Sequence, residues 1–302
     1  MAPNSRNKLI LAAAAGVLLL VGCWAVRHDS PPLATATFMD VGQGDAILVA
    51  AGRVQALIDG GPGRQVLTGL GRAMPLTDRL IEYVIVTHPH ADHVGGLAAV
   101  FGRYQVGRLI LGGAGAATPE FAALRLAAVA QGVPVSVVRS GDSIRLSDDA
   151  ALAVVHTAPA SILRTSRDIN EESLVLLLSV SCPDPGGAAG PASCGQLLLT
   201  GDAGAKTEAA LLDAGDVPAA DILKVGHHGS RQATTYGFLT GVQPRTAVIS
   251  VGQNYYGHPS PALLKRLAAR GIKVWRTDVH GDVVAVFGQA GVSWRSRRGV
   301  PP

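Results

Sequence analysis

Leu80-Ile81-Glu82-Tyr83-Val84-Ile85-Val86-Thr87-His88-Pro89-His90-Ala91-Asp92-His93 is the stretch on which the reading of this chain turns. An apolar run, consistent with a strand, ends in three imidazoles and a carboxylate within six residues. Imidazole and carboxylate are the usual nitrogen and oxygen ligands of zinc and its first-row neighbours. The alternation His88-x-His90-x-Asp92-His93 supplies two pairs of side chains, one pair for each of two ions.

Working outward, two more strand-like runs end in ligand-type residues. Residues 196–200 run into Gly201-Asp202-Ala203, and residues 221–225 run into Gly226-His227-His228-Gly229-Ser230. A carboxylate just past a strand end can lie between two ions and bridge them. Of the nine histidines, His28 and His280 alone fall away from such strand ends. Two ions about 3.5–4 Å apart would clamp and activate a water for in-line attack.

These residues, in this order, resemble the metallo-β-lactamase superfamily, and more closely the hydrolase domain of the ComEC/Rec2 competence proteins. The finer resemblance is carried by Phe38-Met39-Asp40-Val41-Gly42-Gln43-Gly44-Asp45-Ala46, Ile58-Asp59-Gly60-Gly61 and Glu172-Ser173-Leu174-Val175-Leu176. Leu223-Lys224-Val225-Gly226-His227-His228-Gly229-Ser230, Asn254-Tyr255-Tyr256-Gly257-His258-Pro259, Arg276-Thr277-Asp278 and Gly281 complete it. It covers residues 37–288.

The resemblance implies an α/β fold, a metallo-β-lactamase-like four-layer αβ/βα sandwich with the metals at one edge of two sheets. Local pattern agrees with the α/β class. Strand-like runs fall at 46–50, 54–58, 83–86, 108–111, 133–138, 152–155, 174–180, 196–200, 221–225, 247–251, 273–276 and 283–287. Helix-like runs lie between them at 94–101, 119–131, 205–214 and 261–270. Hydrophobic content of 48% with 16% charged residues supports a large buried core,. With no internal repeat and no break in composition, residues 37–288 are expected to form one domain. Residues 289–302 read as a short basic tail, with Arg295, Arg297 and Arg298.

The resemblance also implies roles. His88 and His90 bind the first metal, Asp92 and His93 the second, and Asp202 bridges. One of His227 and His228 completes the second site, and its neighbour supports a ligand or touches substrate. Asp92 and His258 are the catalytic candidates, His258 protonating the leaving group or holding a substrate oxygen. Ser230, Asn254, Tyr256, Thr277 and Asp278 are candidates to touch substrate or orient the ligands. Many superfamily members give the first metal a third histidine. Here the equivalent place holds Asn170, with His156 as the other candidate. A weaker first site would accept Mn²⁺ as well as Zn²⁺ and counts against a true β-lactamase.

At the N-terminus, Arg6 and Lys8 precede the apolar residues 9–21 and then Gly22-Cys23. This is the layout of a secretory signal, and the run is short for a membrane span. Leu20-Val21-Gly22-Cys23 resembles a bacterial lipobox, with Cys23 as the lipidated residue. An uncleaved anchor helix is the alternative. Either places the protein outside the cytoplasm on a membrane, with 1–22 as signal and 23–36 as linker. The remaining cysteines, Cys182 and Cys194, flank a Gly/Pro-rich loop and are expected to form a disulfide, in keeping with export. Removing residues 1–22 removes Arg6 and Lys8 and no acid, so formal charge falls from +4 to +2. No basic stripe interleaved with aromatics is visible.

The expected chemistry is therefore hydrolysis assisted by two divalent ions. The substrate is a phosphodiester, either single-stranded DNA or phosphorylated wall, teichoic or lipid material. A lactone or β-lactam hydrolase is the rival enzyme, and a metal-stabilised binding lipoprotein without turnover is the rival non-enzyme.

Overall fold

Inside each strand, successive side chains enter two different cores. In Val54–Ile58, Ala56 and Ile58 face the space between two sheets, while Leu57 faces an outer helical layer. Strands buried on both faces read as continuous apolar runs, which is why so many are legible in the sequence.

The computed structural model describes residues 31–157, 168–182, 192–299 and 301–302. The predicted signal 1–22, Cys23 and the Gly/Pro-rich residues 183–191 lie outside these. The elements are β1 Ala34–Phe38, β2 Ile47–Ala51, β3 Val54–Ile58, α1 Gln65–Ala73, β4 Leu80–Val86, α2 Ala91–Val94, α3 Leu97–Phe101, β5 Gln105–Leu111, α4 Pro119–Gln131 and β6 Val135–Val137. There follow β7 Ser143–Arg145, β8 Ala150–His156, a 3-10 turn Ile169–Glu172, β9 Val175–Cys182, β10 Ala192–Leu199, α5 Ala205–Ala214 and β11 Ile222–Lys224. A second 3-10 turn Gly226–Gly229, α6 Tyr236–Val242, β12 Thr246–Ile249, α7 Pro261–Ala268, β13 Lys273–Arg276, α8 Thr277–His280, β14 Val283–Gly288 and β15 Gly291–Ser296 complete the order.

One sheet runs β15-β14-β1-β2-β3-β4-β5-β6 and the other β13-β12-β11-β10-β9-β8-β7. The inner faces of both share a core around Phe38, Leu176, Leu197 and Phe287. Helices α1, α3 and α4 cover the first sheet, and α6 and α7 the second. This is the αβ/βα sandwich. Strands β3, β4 and β5 are parallel, as are β10, β11 and β12. Their C-terminal ends meet at one edge, where ligands bind in open parallel sheets.

Helix α4 is legible because its ends are chemically marked. Thr118 accepts the Phe121 N–H at 3.3 Å, Pro119 opens the helix, and Gly132 closes it at φ 70°,. Two expectations need correction. Residues 289–302 are not simply a tail, because Gly291–Ser296 pairs with β14 as the edge strand β15. The linker ends earlier than residue 36, because Ala34 already pairs with Phe287 and Thr35 with Ala50. Leu33–Pro302 form one compact unit. Cys182 and Cys194 are joined by a disulfide across the β9–β10 hairpin, with Cα atoms 5.2 Å apart. No helix among the described residues is long and apolar enough to cross a membrane.

Candidate metal centre

Asp202 follows β10 and is buried, and its two carboxylate oxygens face different partners. Oδ1 lies 3.3 Å from His93 Nε2 and 3.4 Å from His228 Nε2. Oδ2 lies 3.9 Å from both His88 Nε2 and His227 Nε2. His90 Nδ1 is 3.1 Å from His88 Nε2, and Asp92 Oδ2 is 3.2 Å from His228 Nε2. The side chains therefore fall into two sets that share Asp202. The first holds His88, His90 and His227, and the second Asp92, His93 and His228. Ligand atoms of Asp92, His93, Asp202 and His228 all lie within 4.8 Å of one another.

The backbone explains how neighbouring histidines serve different sets. His227 and His228 both adopt left-handed conformations, at φ 47° and 51°. For residues other than glycine this is costly, of order 1–2 kcal/mol each. It turns consecutive side chains apart, with ring planes at 77°. Of the two, His228 is the one that completes the second set. His227 faces the first set beside Asn170, whose Nδ2 is 3.3 Å from its Nε2. His227 therefore stands on the same side of Asp202 as His88, 3.9 Å from Oδ2, with Asn170 beside it.

Each buried ring is anchored through its Nδ1, which turns Nε2 toward Asp202. His93 Nδ1 is 2.7 Å from Asp59 Oδ2, and His228 Nδ1 is 2.9 Å from the Ser250 carbonyl. His88 Nδ1 is 3.1 Å from Thr87 Oγ1, which donates to Asp59 Oδ2 at 2.6 Å. Such partners fix the tautomer and aim the opposite nitrogen. His93 Nε2, His228 Nε2 and Asp202 Oδ1 are buried with no hydrogen-bond partner among the described residues. Buried polar atoms left unpaired are costly, and here three converge in a nitrogen and oxygen donor set. The residues fit a binuclear metal site.

Electrostatics run the same way. Burial, and then His93, hold His88 well below the usual histidine range, so its ring is neutral. Burial alone would lower His93, but Asp202 and Asp59 more than offset it and hold the ring well above that range. Burial would raise Asp92 and Asp202, yet the surrounding histidines hold both below the usual carboxylate range. Asp59 itself is raised, chiefly by burial.

Three residues that sequence reasoning quoted without a role carry this shell. Lys224 is fully buried within β11; its Nζ pairs with Asp45 and donates to the Gly201 carbonyl at 2.9 Å. Asp45 also lies 3.6 Å from His228 Nδ1 and 3.9 Å from His93 Nδ1. Asp59 serves His93 and Thr87. The signal was present: each is a charged residue beside or within an apolar run. Gly44 makes the Asp45 loop possible, since a β-carbon there would sit 2.2 Å from the Asp92 carbonyl oxygen.

Gln43, His90, Asn170, Tyr256 and His258 help wall an open cleft of about 320 Å³ over the two sets. His258 lies 5.5 Å ring to ring from His227, its Nδ1 without a hydrogen-bond partner among the described residues, and burial lowers its pKa. Asn254 does not face the cleft. Its amide donates to the Gly252 and His258 carbonyls and accepts from the Tyr256 and His258 N–H groups, building the loop that presents His258.

Other candidates sit elsewhere. Thr277 exchanges two hydrogen bonds with the Val251 backbone, each 2.8 Å, and so steadies the strand end that supports His228. Asp278 pairs with Arg276 and, among the described residues, does not line the cleft. Ser230 accepts from Gln232 N–H inside its own turn. His156 ends β8, in register with Val175, and among the described residues does not line the cleft.

With fold and site in place, comparison with known proteins is direct. The sequence matches the metallo-beta-lactamase superfamily over residues 39–253, and the chain belongs to that superfamily. It is similar to ComE operon protein 3 of Bacillus subtilis (strain 168), with 30% identity over 266 residues, covering 81% of this chain and 32% of that protein. It is also similar to competence protein ComA of Neisseria gonorrhoeae, with 31% identity over 286 residues, covering 91% and 36%. The chain spans about a third of the length of these curated relatives. Among solved structures it resembles CmlA, a diiron beta-hydroxylase from Streptomyces venezuelae, with a TM-score of 0.50 at 14% identity, covering 82% of this chain and 53% of that one. At that identity the likeness bears on the fold alone.

Proposed function

We propose that this chain is a phosphodiesterase dependent on two divalent ions, Zn²⁺ in the first instance and Mn²⁺ as the alternative. It acts outside the cytoplasm, attached to a membrane through its N-terminal segment. The observation that carries the hydrolase reading is the division of the Asp202 oxygens between two ligand sets, together with His93 Nε2, His228 Nε2 and Asp202 Oδ1 converging without a hydrogen-bond partner among the described residues. Ions bound there would supply Lewis acidity and a water acidified to near neutrality. Asp202 holds the sets in register, and Asp59, Ser250 and Thr87 fix which nitrogen each ring presents. His258 stands over the cleft, placed to hold a phosphoryl oxygen or to pass a proton to the departing alkoxide.

The phosphodiester is favoured by the resemblance to the hydrolase domain of the ComEC/Rec2 competence proteins, and the similarity to competence protein ComA supports that resemblance. His227 lies on the same side of Asp202 as His88, which keeps a lactam substrate in view, so nitrocefin belongs in the same assay. The test is turnover of bis-(p-nitrophenyl) phosphate and labelled single-stranded DNA with added Zn²⁺ or Mn²⁺, against the Asp92→Ala chain. Metal-dependent cleavage of a diester, lost in the variant, is expected. Nitrocefin turnover alone would move the assignment to the β-lactam side of the rival lactone/β-lactam reading, and binding without any turnover would leave a metal-stabilised binding protein.

A further inference from the structure

The cleft over the metal ligands does not end at His227. It continues into a second arm of about 360 Å³ that shares Asn170, Asp202 and His227 with it and extends to Arg231 and Gln232. The charges along this arm are mostly spent. Glu171 accepts from the Gly204 and Thr207 N–H groups at 3.2 and 2.9 Å. Lys206 is bound to Asp168 at 2.6 Å. Arg231 differs: it is exposed, and among the described residues no carboxylate pairs with it.

The segment carrying Arg231 is firmly held. Arg266 donates to the Arg231 and Ala233 carbonyls at 3.4 and 3.0 Å. The Thr234 and Thr235 N–H groups donate to Glu208, the latter at 2.7 Å. An uncommitted guanidinium on a fixed backbone, at the far end of a groove that starts at the metal ligands, is suited to an oxyanion.

Resting on the phosphodiesterase reading, we propose that Arg231 is a positioning residue for a second phosphate, one repeat unit from the bond that is cut. The enzyme therefore takes a polymeric phosphodiester in preference to an isolated one. Arg231 reads the backbone charge and no base, because phosphate contacts position without specifying sequence.

The test is binding, read by fluorescence anisotropy with the full chain carrying Asp92→Ala, with and without Arg231→Gln. The probes are labelled d(TpT), which has one internucleotide phosphate, a ten-nucleotide oligothymidylate, and an abasic phosphodeoxyribose strand of the same length. Arg231→Gln should weaken binding of both long strands about fivefold and reduce the log–log salt slope by about 0.7, one phosphate contact on a single strand. Binding of d(TpT) should be unaffected. Equal loss for d(TpT) would place Arg231 on the scissile phosphate, loss for the base-bearing strand alone would make it a base contact, and no loss at all would leave it solvated. Each of these overturns the proposal. Failure of the phosphodiesterase reading is separate: it shows as no turnover of any diester by the parent chain, whatever the anisotropy reports.

Discussion

Lys224 stands at the centre of the buried charge around the site. A lysine with no exposed surface is tolerated only when paired, and here one ammonium joins Asp45, from the loop after β1, to the Gly201 carbonyl that precedes Asp202. Lys224→Met should leave the Asp45 charge stranded and cost about 3 kcal/mol of stability, read as a fall in the urea midpoint. Adding Asp45→Asn to that variant should recover much of the loss, since removing both charges removes the stranded one. A double variant as unstable as the two losses summed would show that the pair is not the unit. The ligands themselves were legible because their spacing is local. Lys224, Asp45 and Asp59 were visible as letters but not as a shell, because burial and pairing across 179 positions of chain are properties of the folded molecule.

At the level of elements, strands buried on both faces announced themselves, and those at the margins did not. β15 alternates Val292-Ser293-Trp294-Arg295 and sits at a sheet edge with one face wet, so its polar half reads as tail. β1 is built of Ala and Thr before Phe38, too small to signal a strand beside Pro31 and Pro32. Helix α6 was missed because Gly237 and Gly241 dilute its period; its start is fixed by Thr235, which accepts from Phe238 N–H at 3.3 Å.

Helix α5 performs a further task through Glu208, which ties the segment after Gly229 to the second sheet. Burial, its largest influence, raises the Glu208 pKa above the ordinary 4.5, although the Thr235 and Thr234 N–H groups pull the other way. A carboxyl raised on folding favours the folded state below its unfolded pKa, and that contribution is lost as pH rises through the folded value. Glu208→Gln should therefore compare worst with the parent near pH 4.5 and gain on it as the pH is raised toward neutrality. Urea midpoints across that range give the sign; a constant difference would show that Glu208 does not titrate in the folded chain.

Across the whole molecule, the two sheets divide the site between them. His88, His90, Asp92 and His93 follow β4 of the first sheet, whereas Asp202, His227 and His228 follow β10 and β11 of the second. Bound ions therefore link the sheets, and their removal withdraws binding energy from the folded state. Chelation should lower the melting temperature on the order of 10 °C for ions held far above their dissociation constants. Asp202→Ala should shrink that shift sharply, and a parent chain whose melting is indifferent to chelator would not hold ions at this edge. The two sets are built alike in depth. His88 is 0% exposed beside His227 at 35%, and His93 and His228 are 0% and 1% exposed beside Asp92 at 34%. Each pocket thus has a buried floor and its own door onto one cleft, so a chelator should strip ions from both in parallel, with neither queuing behind the other.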